Sequence, residues 1–240
     1  IGGGDGFYAL DANEGKELWK VPIKGGSDSS ACVMGGVAYF CGNDGALRAV
    51  DAKTGQEVWT YRPKRPAPSQ SSPAVAYGVV FATLDGLVGI DAKTGKKVWS
   101  CKAAKGSGDE WLASMAIIGD TIYYTGNGTW TPLRAINISD AQEKWTGSVG
   151  HAGLYNTPAV ANDRVYAVCS TGLAAHPIRE GQGLKGFGAH PDPDIGVNQF
   201  KTNSSPAVWG ELLVFGMDRG VVYGYSSLSG ESKWTFTTDK

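Results

Sequence analysis

The sequence predicts an all-β protein assembled from one repeated unit, and three observations carry that prediction. The first is the stretch Asp44-Gly45-Ala46-Leu47-Arg48-Ala49-Val50-Asp51-Ala52-Lys53-Thr54-Gly55-Gln56-Glu57-Val58-Trp59, which reads as turn, strand, turn, strand. The second is its recurrence: Asp5-Gly6 through Trp19 and Asp85-Gly86 through Trp99 repeat the pattern, with tryptophans 40 residues apart. The third is the glycine content, 35 of 240 residues, about twice the usual ~7% and expected where the chain reverses at short intervals. Looser copies end at Trp145 and Trp234, with two repeats in the last gap, the first lacking its tryptophan. A period near 40 residues with about four short strands per unit is the signature of propeller blades.

Each part of the repeat has a physical reason. Asp-Gly opens a turn because Gly tolerates positive φ and Asp bonds nearby amides. In Asp51-Ala52-Lys53-Thr54-Gly55 the Asp and Thr side chains satisfy turn amides, and Gly55 suits the left-handed position. The return strand ends on a tryptophan, which needs roughly 150–250 Å² of cover. A two-stranded ribbon cannot supply it, so Trp19, Trp59, Trp99, Trp145 and Trp234 are each expected on an outer strand, wedged against an adjoining blade.

In chain order, residues 1–20 read as two outer strands with no inner pair before them, which predicts an open edge and self-association through it. Five inner hairpins follow: Ser29 to Cys41, Ser71 to Thr83, Leu112 to Thr125, Asn156 to Cys169 and Ser204 to Phe215. Ser, Pro and Ala crowd their first strands, as expected where strands converge at an axis and lack a partner on one side. The tally is six outer ribbons and five inner hairpins, about five and a half blades, an arc compatible with a seven- or eight-bladed parent. One propeller domain is expected over 1–240, with blade ends near 20, 60, 100, 146, 190–200 and 236.

At these residues the chain resembles the pyrroloquinoline-quinone-type (PQQ-type) β-propeller repeat, whose pattern is roughly DGxLYALDAxTGxxxW. Three of the six copies meet it closely. The resemblance implies a fold shared by periplasmic scaffolds, sensor ectodomains and quinoprotein dehydrogenases, and hence a periplasmic or extracellular setting. For a quinoprotein alcohol or sugar dehydrogenase it would imply PQQ with calcium, a catalytic Asp, Asp/Asn/Glu ligands and often adjacent cysteines. No Cys-Cys dipeptide occurs, and Asp11, Asp51 and Asp91 recur once per blade as turn caps. The expectation is therefore no cofactor and no catalytic residue, with the PQQ-bearing dehydrogenase as the alternative.

Net charge is −1 and the pI near 6.3, so no strongly basic nucleic-acid surface is indicated. No apolar run reaches the ~18 residues of a membrane span. The chain lacks an initiator Met and reads as an excised or processed segment. Of the four cysteines, Cys32 and Cys41 would lie diagonal about the Gly35-Gly36 turn, beyond comfortable disulfide reach. Free thiols acting as small hydrophobes are expected.

Two stretches break the repeat: the basic, proline-stiffened residues 62–68, and the region after Gly172. All three histidines, His151, His176 and His190, fall in or beside blade five, with Asp192 and Asp194 near the last. His176, His190, Asp192 and Asp194 are the candidate metal donors, but their spacing matches no compact motif, and solvent-facing histidines on a surface loop are expected instead. The divergent positions gather on the loops joining blades and on the middle turns. That face is expected to bind a protein or an extracellular ligand, or other domains of a parent chain, through Arg62, Lys64, Arg65, Trp111, Trp130, His151, Tyr155, His190, Asp192 and Arg219. Loops on a rigid scaffold carry recognition, and exposed Trp, Tyr and Arg are the usual anchors.

Overall fold

A computed structural model describes residues 1–101, 114–125, 133–147, 156–169, 172–179, 187–189, 204–217 and 220–238, with only the backbone considered at Cys169, Gly172 and 187–189. These residues are all-β and form six antiparallel sheets. The first sheet has three strands, β1 (Gly2–Gly3), β2 (Gly6–Leu10) and β3 (Glu17–Pro22). The other five each have four, in meander order. The second holds β4 (Cys32–Met34), β5 (Val37–Cys41), β6 (Leu47–Asp51) and β7 (Glu57–Tyr61). The third holds β8 (Ala74–Ala76), β9 (Val79–Leu84), β10 (Gly86–Asp91) and β11 (Lys97–Cys101). The fourth holds β12 (Met115–Ile118), β13 (Thr121–Thr125), β14 (Leu133–Asn137) and β15 (Glu143–Gly147). The fifth holds β16 (Ala159–Ala161), β17 (Arg164–Cys169), β18 (Gly172–Pro177) and β19 (Phe187–Ala189). The sixth holds β20 (Ala207–Trp209), β21 (Leu212–Met217), β22 (Val221–Ser226) and β23 (Ser232–Thr237).

This is a propeller of five and a half blades. The chain falls into two compact units, residues 1–104 with 110–114, and residues 105–109 with 115–240.

Middle strands supply the core, and in the second and fifth sheets both of their faces are covered. In β5, Tyr39 and Cys41 pack with Val80, Ala82 and Ile90 of the third sheet, while Ala38 and Phe40 pack with Phe7 of the first. The Phe7 and Phe40 rings stack at 4.0 Å. The second unit repeats this: Val165 and Ala167 face Tyr123 and Leu133, while Tyr166 and Val168 face Leu213 and Phe215.

The outer ribbons share one irregularity. Ala9, Ala49, Gly89, Ala135 and Gly224 pair with Trp19, Trp59, Trp99, Trp145 and Trp234, and the register shifts just after each. The indole crosses the strand opposite, so only a small residue fits: a Cβ at Gly89 would lie 2.9 Å from the Trp99 ring. The bulge leaves Leu18, Val58 and Val98 unpaired and exposed. In the fifth sheet Ala175 pairs with Phe187, so Phe187 takes the tryptophan's place in the register.

First strands line up sheet to sheet through hydroxyls. Ser30 N–H donates to Ser72 Oγ (3.0 Å), Ser72 N–H to Ser114 Oγ (3.0 Å) and Thr157 N–H to Ser205 Oγ (2.9 Å). Small hydroxyl residues thus satisfy amides that have no ladder partner. Ser29 Oγ accepts from Cys41 N–H and Ser71 Oγ from Thr83 N–H, which ties the approach to β4 and β8.

Two expectations need correction. Residues 1–10 do not lack a partner: β1 pairs Gly2 with Phe7 and Gly3 with Gly6, and Ile1 and Tyr8 exchange backbone bonds. The Gly-rich start turns tightly enough to cover part of the β2 edge, leaving only Ala9 and Leu10 beyond it. Trp234 is 40% exposed rather than wedged, its indole lying over its own Gly224.

Candidate binding surfaces at the two sheet ends

In each four-stranded meander the first and third turns lie at one end. The middle turn and the connection to the next sheet lie at the other. The connection end was expected to carry recognition, and in the first unit its Asp-Gly turns are tied to cations. Asp44 accepts both Arg48 guanidinium nitrogens (2.9 and 2.5 Å) and Arg62 Nη2 (3.1 Å). Burial alone would raise the Asp44 carboxyl, but the Arg48 and Arg62 guanidiniums outweigh it and hold it below 3.8. Asp85 accepts Arg65 Nη2 at 2.9 Å, and Asp5 accepts Lys20 Nζ at 2.5 Å.

The connection 62–68 is therefore a fixed strap. Arg62 and Arg65 pin it at two points, Pro63 is buried, and a Cβ at Gly45 would meet Ala67 N and Pro66 Cβ at 2.7 and 2.8 Å. Gly45, at φ 76°, meets both demands, the left-handed turn and the close strap. Lys64 stays exposed at its tip. Sequence reasoning missed a polar cluster beside it. Asn43 Nδ2 donates to Gly25 O (2.8 Å) and Asp28 Oδ2 (3.1 Å), and Gln70 Nε2 donates to the same Asp28 oxygen (3.1 Å). Asp28 and Gln70 hold matching places in successive serine-rich connections, which is the signal that could have found them.

Trp111, Trp130, His151, Tyr155, His190, Asp192, Asp194 and Arg219 lie outside the described residues. His176 is described and is not on a surface loop. It sits on β18, pairs with Val165 and is tilted against Trp145 at 6.2 Å, because the strand continues to Pro177 before the chain turns. Among the described residues no group of three His, Cys, Asp or Glu could hold a metal.

The other end carries the repeated Asp-Ala-Lys-Thr-Gly turns, and these serve the fold. Asp51 Oδ1 accepts Lys53 N–H, Thr54 N–H and Thr54 Oγ at 2.8–3.0 Å. The Thr54 hydroxyl, then its amide, holds the Asp51 carboxyl below 3.8; Thr94 does the same for Asp91. Each turn also seats the preceding sheet's tryptophan. Trp19 Nε1 donates to Ala52 O (3.0 Å) and Trp59 Nε1 to Ala92 O (2.9 Å). Gly55 and Gly95 lie flat under those indoles, where a Cβ would come within 2.8 and 2.7 Å of the ring.

In the fifth sheet the tryptophan bond survives, Trp145 Nε1 to Ile178 O at 3.1 Å, but Pro177 replaces the capping Asp. A groove of about 410 Å³ opens there, lined by Ile118, Gly119, Asp120, Thr121, Tyr123, Lys144, Trp145, Ile178 and Arg179. Lys144 Nζ donates to Asp120 and to Thr121 Oγ (2.7 Å each). The Lys144 ammonium, then the Thr121 hydroxyl, holds the Asp120 carboxyl down.

Asp51 and Asp91 hold their own turns and Asp44 is bound by two arginines. Cys32 and Cys41 are free thiols, and burial pushes Cys41 up to about 12.

A family model for PQQ-like repeats, described as outer membrane protein assembly factor BamB, matches residues 2–128. No protein of curated function matches at the sequence level. Among solved structures, BamB from Moraxella catarrhalis superposes with TM-score 0.75 at 20% identity, over 96% of this chain and 67% of that one. The computationally designed Ika8 protein gives 0.75 at 14% identity, over 98% of this chain and 70% of that one. Quinohemoprotein alcohol dehydrogenase ADHIIG from Pseudomonas putida HK5 gives 0.70 at 17% identity, and this chain spans only 44% of its length while covered in full. Among the described residues no helix is long and apolar enough to cross a membrane.

Proposed function

Because this chain belongs to the PQQ-type repeat family described as outer membrane protein assembly factor BamB, we propose that it is a non-catalytic scaffold whose connection loops bind a protein partner in the periplasm or outside the cell. The observation that carries the reading is the strap 62–68, which Arg62–Asp44 and Arg65–Asp85 tie to two Asp-Gly turns with Lys64 exposed between them. A loop ordered before binding loses less entropy on complex formation. Trp111, His151, Tyr155, His190 and Asp192, which lie outside the described residues, are further candidate contacts in this reading. Self-association through the Ala9–Leu10 edge is a lesser part of the proposal.

The test is capture of an envelope protein on the immobilised chain. Lys64→Glu combined with a shortened 188–196 segment is expected to abolish capture, while Lys53→Glu with Lys93→Glu leaves it intact. Loss only in the second variant would place the site at the wrong end. The second reading is the quinoprotein one, which shares its fold with the alcohol dehydrogenase, 44% of whose length this chain covers. Absorbance titration with PQQ and Ca²⁺ separates the two, and a saturable micromolar shift would overturn the scaffold proposal.

A further inference from the structure

Two surfaces of this chain carry the separate halves of a joint that is complete elsewhere in it. Where it is complete, the indole of one sheet rests on the outer turn of the next: Trp19 and Trp59 donate to Ala52 O and Ala92 O and lie over Gly55 and Gly95. Trp99 and Trp234 make no such bond among the described residues, and Trp234 is the more exposed of the two. The sixth sheet therefore holds an indole half with no turn beneath it. Its register puts Val214, Gly224 and Trp234 in one row and Gly216, Val222 and Phe236 in the next. The same rows in the second sheet are Tyr39, Ala49, Trp59 and Cys41, Leu47, Tyr61, which pack on Val80, Ala82 and Ile90 of the third sheet. In the sixth sheet Val214 and Val222 are only half-buried, and Phe236 is 60% exposed.

The first sheet holds the turn half. Asp11-Ala12-Asn13-Glu14-Gly15 is built like its counterparts: Gly15 N–H donates to Asp11 O at 2.8 Å, and Asp11 Oδ1 accepts the Asn13 and Glu14 amides at 2.9 and 2.8 Å. Gly15 has the same left-handed φ as Gly55, 67° against 71°. Yet Ala12 and Gly15 are exposed where Ala52 and Gly55 are half-buried, and among the described residues nothing lies within 4 Å of a Cβ at Gly15. Leu10 tells the same story. It is 45% exposed, while its counterparts Val50 and Ile90 are 1% and 0% exposed against the preceding sheet.

We propose that copies of this chain associate head to tail, the sixth sheet of one stacking on the first sheet of the next, with Trp234 resting on Gly15 and donating to Ala12 O. The seat identifies the occupant. An indole in this position needs a bare glycine Cα in a left-handed turn and a carbonyl three residues before it, and the 11–15 turn offers both with the place above it open. Leu10 then enters beside Val214 and Val222 as Ile90 does beside Tyr39 and Leu47. Trp234 and Phe236 gain cover for part of the ~150–250 Å² that each aromatic brings to an interface. Each copy offers one half of each kind, so the contact is heterologous and does not stop at two copies. Backbone pairing at the Ala9–Leu10 edge is a different contact, because it joins the same strand of two copies and closes as a dimer. Neither Lys64 nor the strap takes part.

Sedimentation velocity of the whole chain from about 5 to 500 µM, the range that resolves micromolar association, tests it. The average mass is expected to rise with concentration and to pass that of a dimer. Trp234→Ala and Gly15→Ala should each weaken association at least tenfold while keeping the parent's circular dichroism, since one ring is largely exposed and the other position faces open space. The decisive sample is their mixture. The Gly15→Ala copy still has its indole and the Trp234→Ala copy still has its turn, so the two together should form a 1:1 dimer and nothing larger. Lys64→Glu and Trp209→Ser should associate as the parent does, the first separating this joint from the connection end and the second from general stickiness of exposed apolar groups. A parent chain that stays monomeric throughout, whether its sixth sheet is uncovered or covered from within, would overturn the proposal. So would association that survives Trp234→Ala, an equal loss in Trp209→Ser, or a mixture that remains monomeric.

Discussion

Tryptophan and aspartate recur at fixed places in the repeat and make the same contacts from copy to copy. Trp59 is 8% exposed, bonds to Ala92 O and tilts against Tyr39 at 5.8 Å. Trp59→Ala should cost about 3–5 kcal/mol, the range for a buried aromatic, measured by urea denaturation. Trp234→Ala should cost less than half as much, because that ring is 40% exposed. The turn aspartates make a pH prediction. Asp51 and Asp91 are lowered from 3.8 in the folded chain. The unfolded state therefore binds more protons near that value, and stability falls as pH falls. Their contribution is complete well above pH 3.8 and disappears as pH drops through the lower folded values. Asp51→Asn with Asp91→Asn should flatten the acid limb of a melting-temperature-against-pH curve below about pH 4 and leave the neutral region less affected. An unchanged acid limb would show that the Thr54 and Thr94 bonds do not persist in solution.

At the scale of the element, the turn and the preceding strand behave as one part. Gly15 and Gly95 occupy equivalent turn positions with φ of 67° and 69°. An alanine at either incurs the left-handed backbone penalty of about 1–2 kcal/mol. Only at Gly95 does the new Cβ also strike an indole, 2.7 Å from Trp59, whereas nothing lies within 4 Å at Gly15. Gly95→Ala should therefore destabilise by about 1–3 kcal/mol more than Gly15→Ala, the usual cost of overpacking. Equal losses would mean that the tryptophan does not rest on the turn. The cross-strand rule is of the same kind. A small residue faces each tryptophan because the ring lies flat across it, and the bulge that follows puts Leu18, Val58 and Val98 into solvent. Their exposure is a consequence of the repeat and no sign of an interface.

Among the described residues, the copies of one plan bury their middle strands more deeply than their outermost strands, and in the second and fifth sheets on both faces. Hydrogen exchange should follow that order, because amides open with their local packing. β9, β10, β13 and β14 should exchange last, and β23, exposed at every residue, first among the fourth strands. Protection of β23 equal to that of β7 would reveal a cover on the sixth sheet. The sequence by itself determined the repeat, the strand order, the Gly35–Gly36 register that sets Cys32 against Tyr39, and the role of the turn aspartates. These depend on residues close in the chain, where spacing fixes which groups can meet. It also placed Trp19, Trp59, Trp99, Trp145 and Trp234 on outer strands, and cover from the next sheet's turn for Trp19, Trp59 and Trp145, since a large ring on a thin ribbon has to find cover elsewhere. Tertiary structure alone decided that Arg62 and Arg65 are held by Asp44 and Asp85 rather than free, and that His176 packs on Trp145. It alone opened the groove where Pro177 replaces a capping carboxylate. Those outcomes rest on groups 18 to 61 residues apart, brought together by the stacking of strands and sheets, a distance over which one-dimensional periodicity carries no record of side-chain geometry.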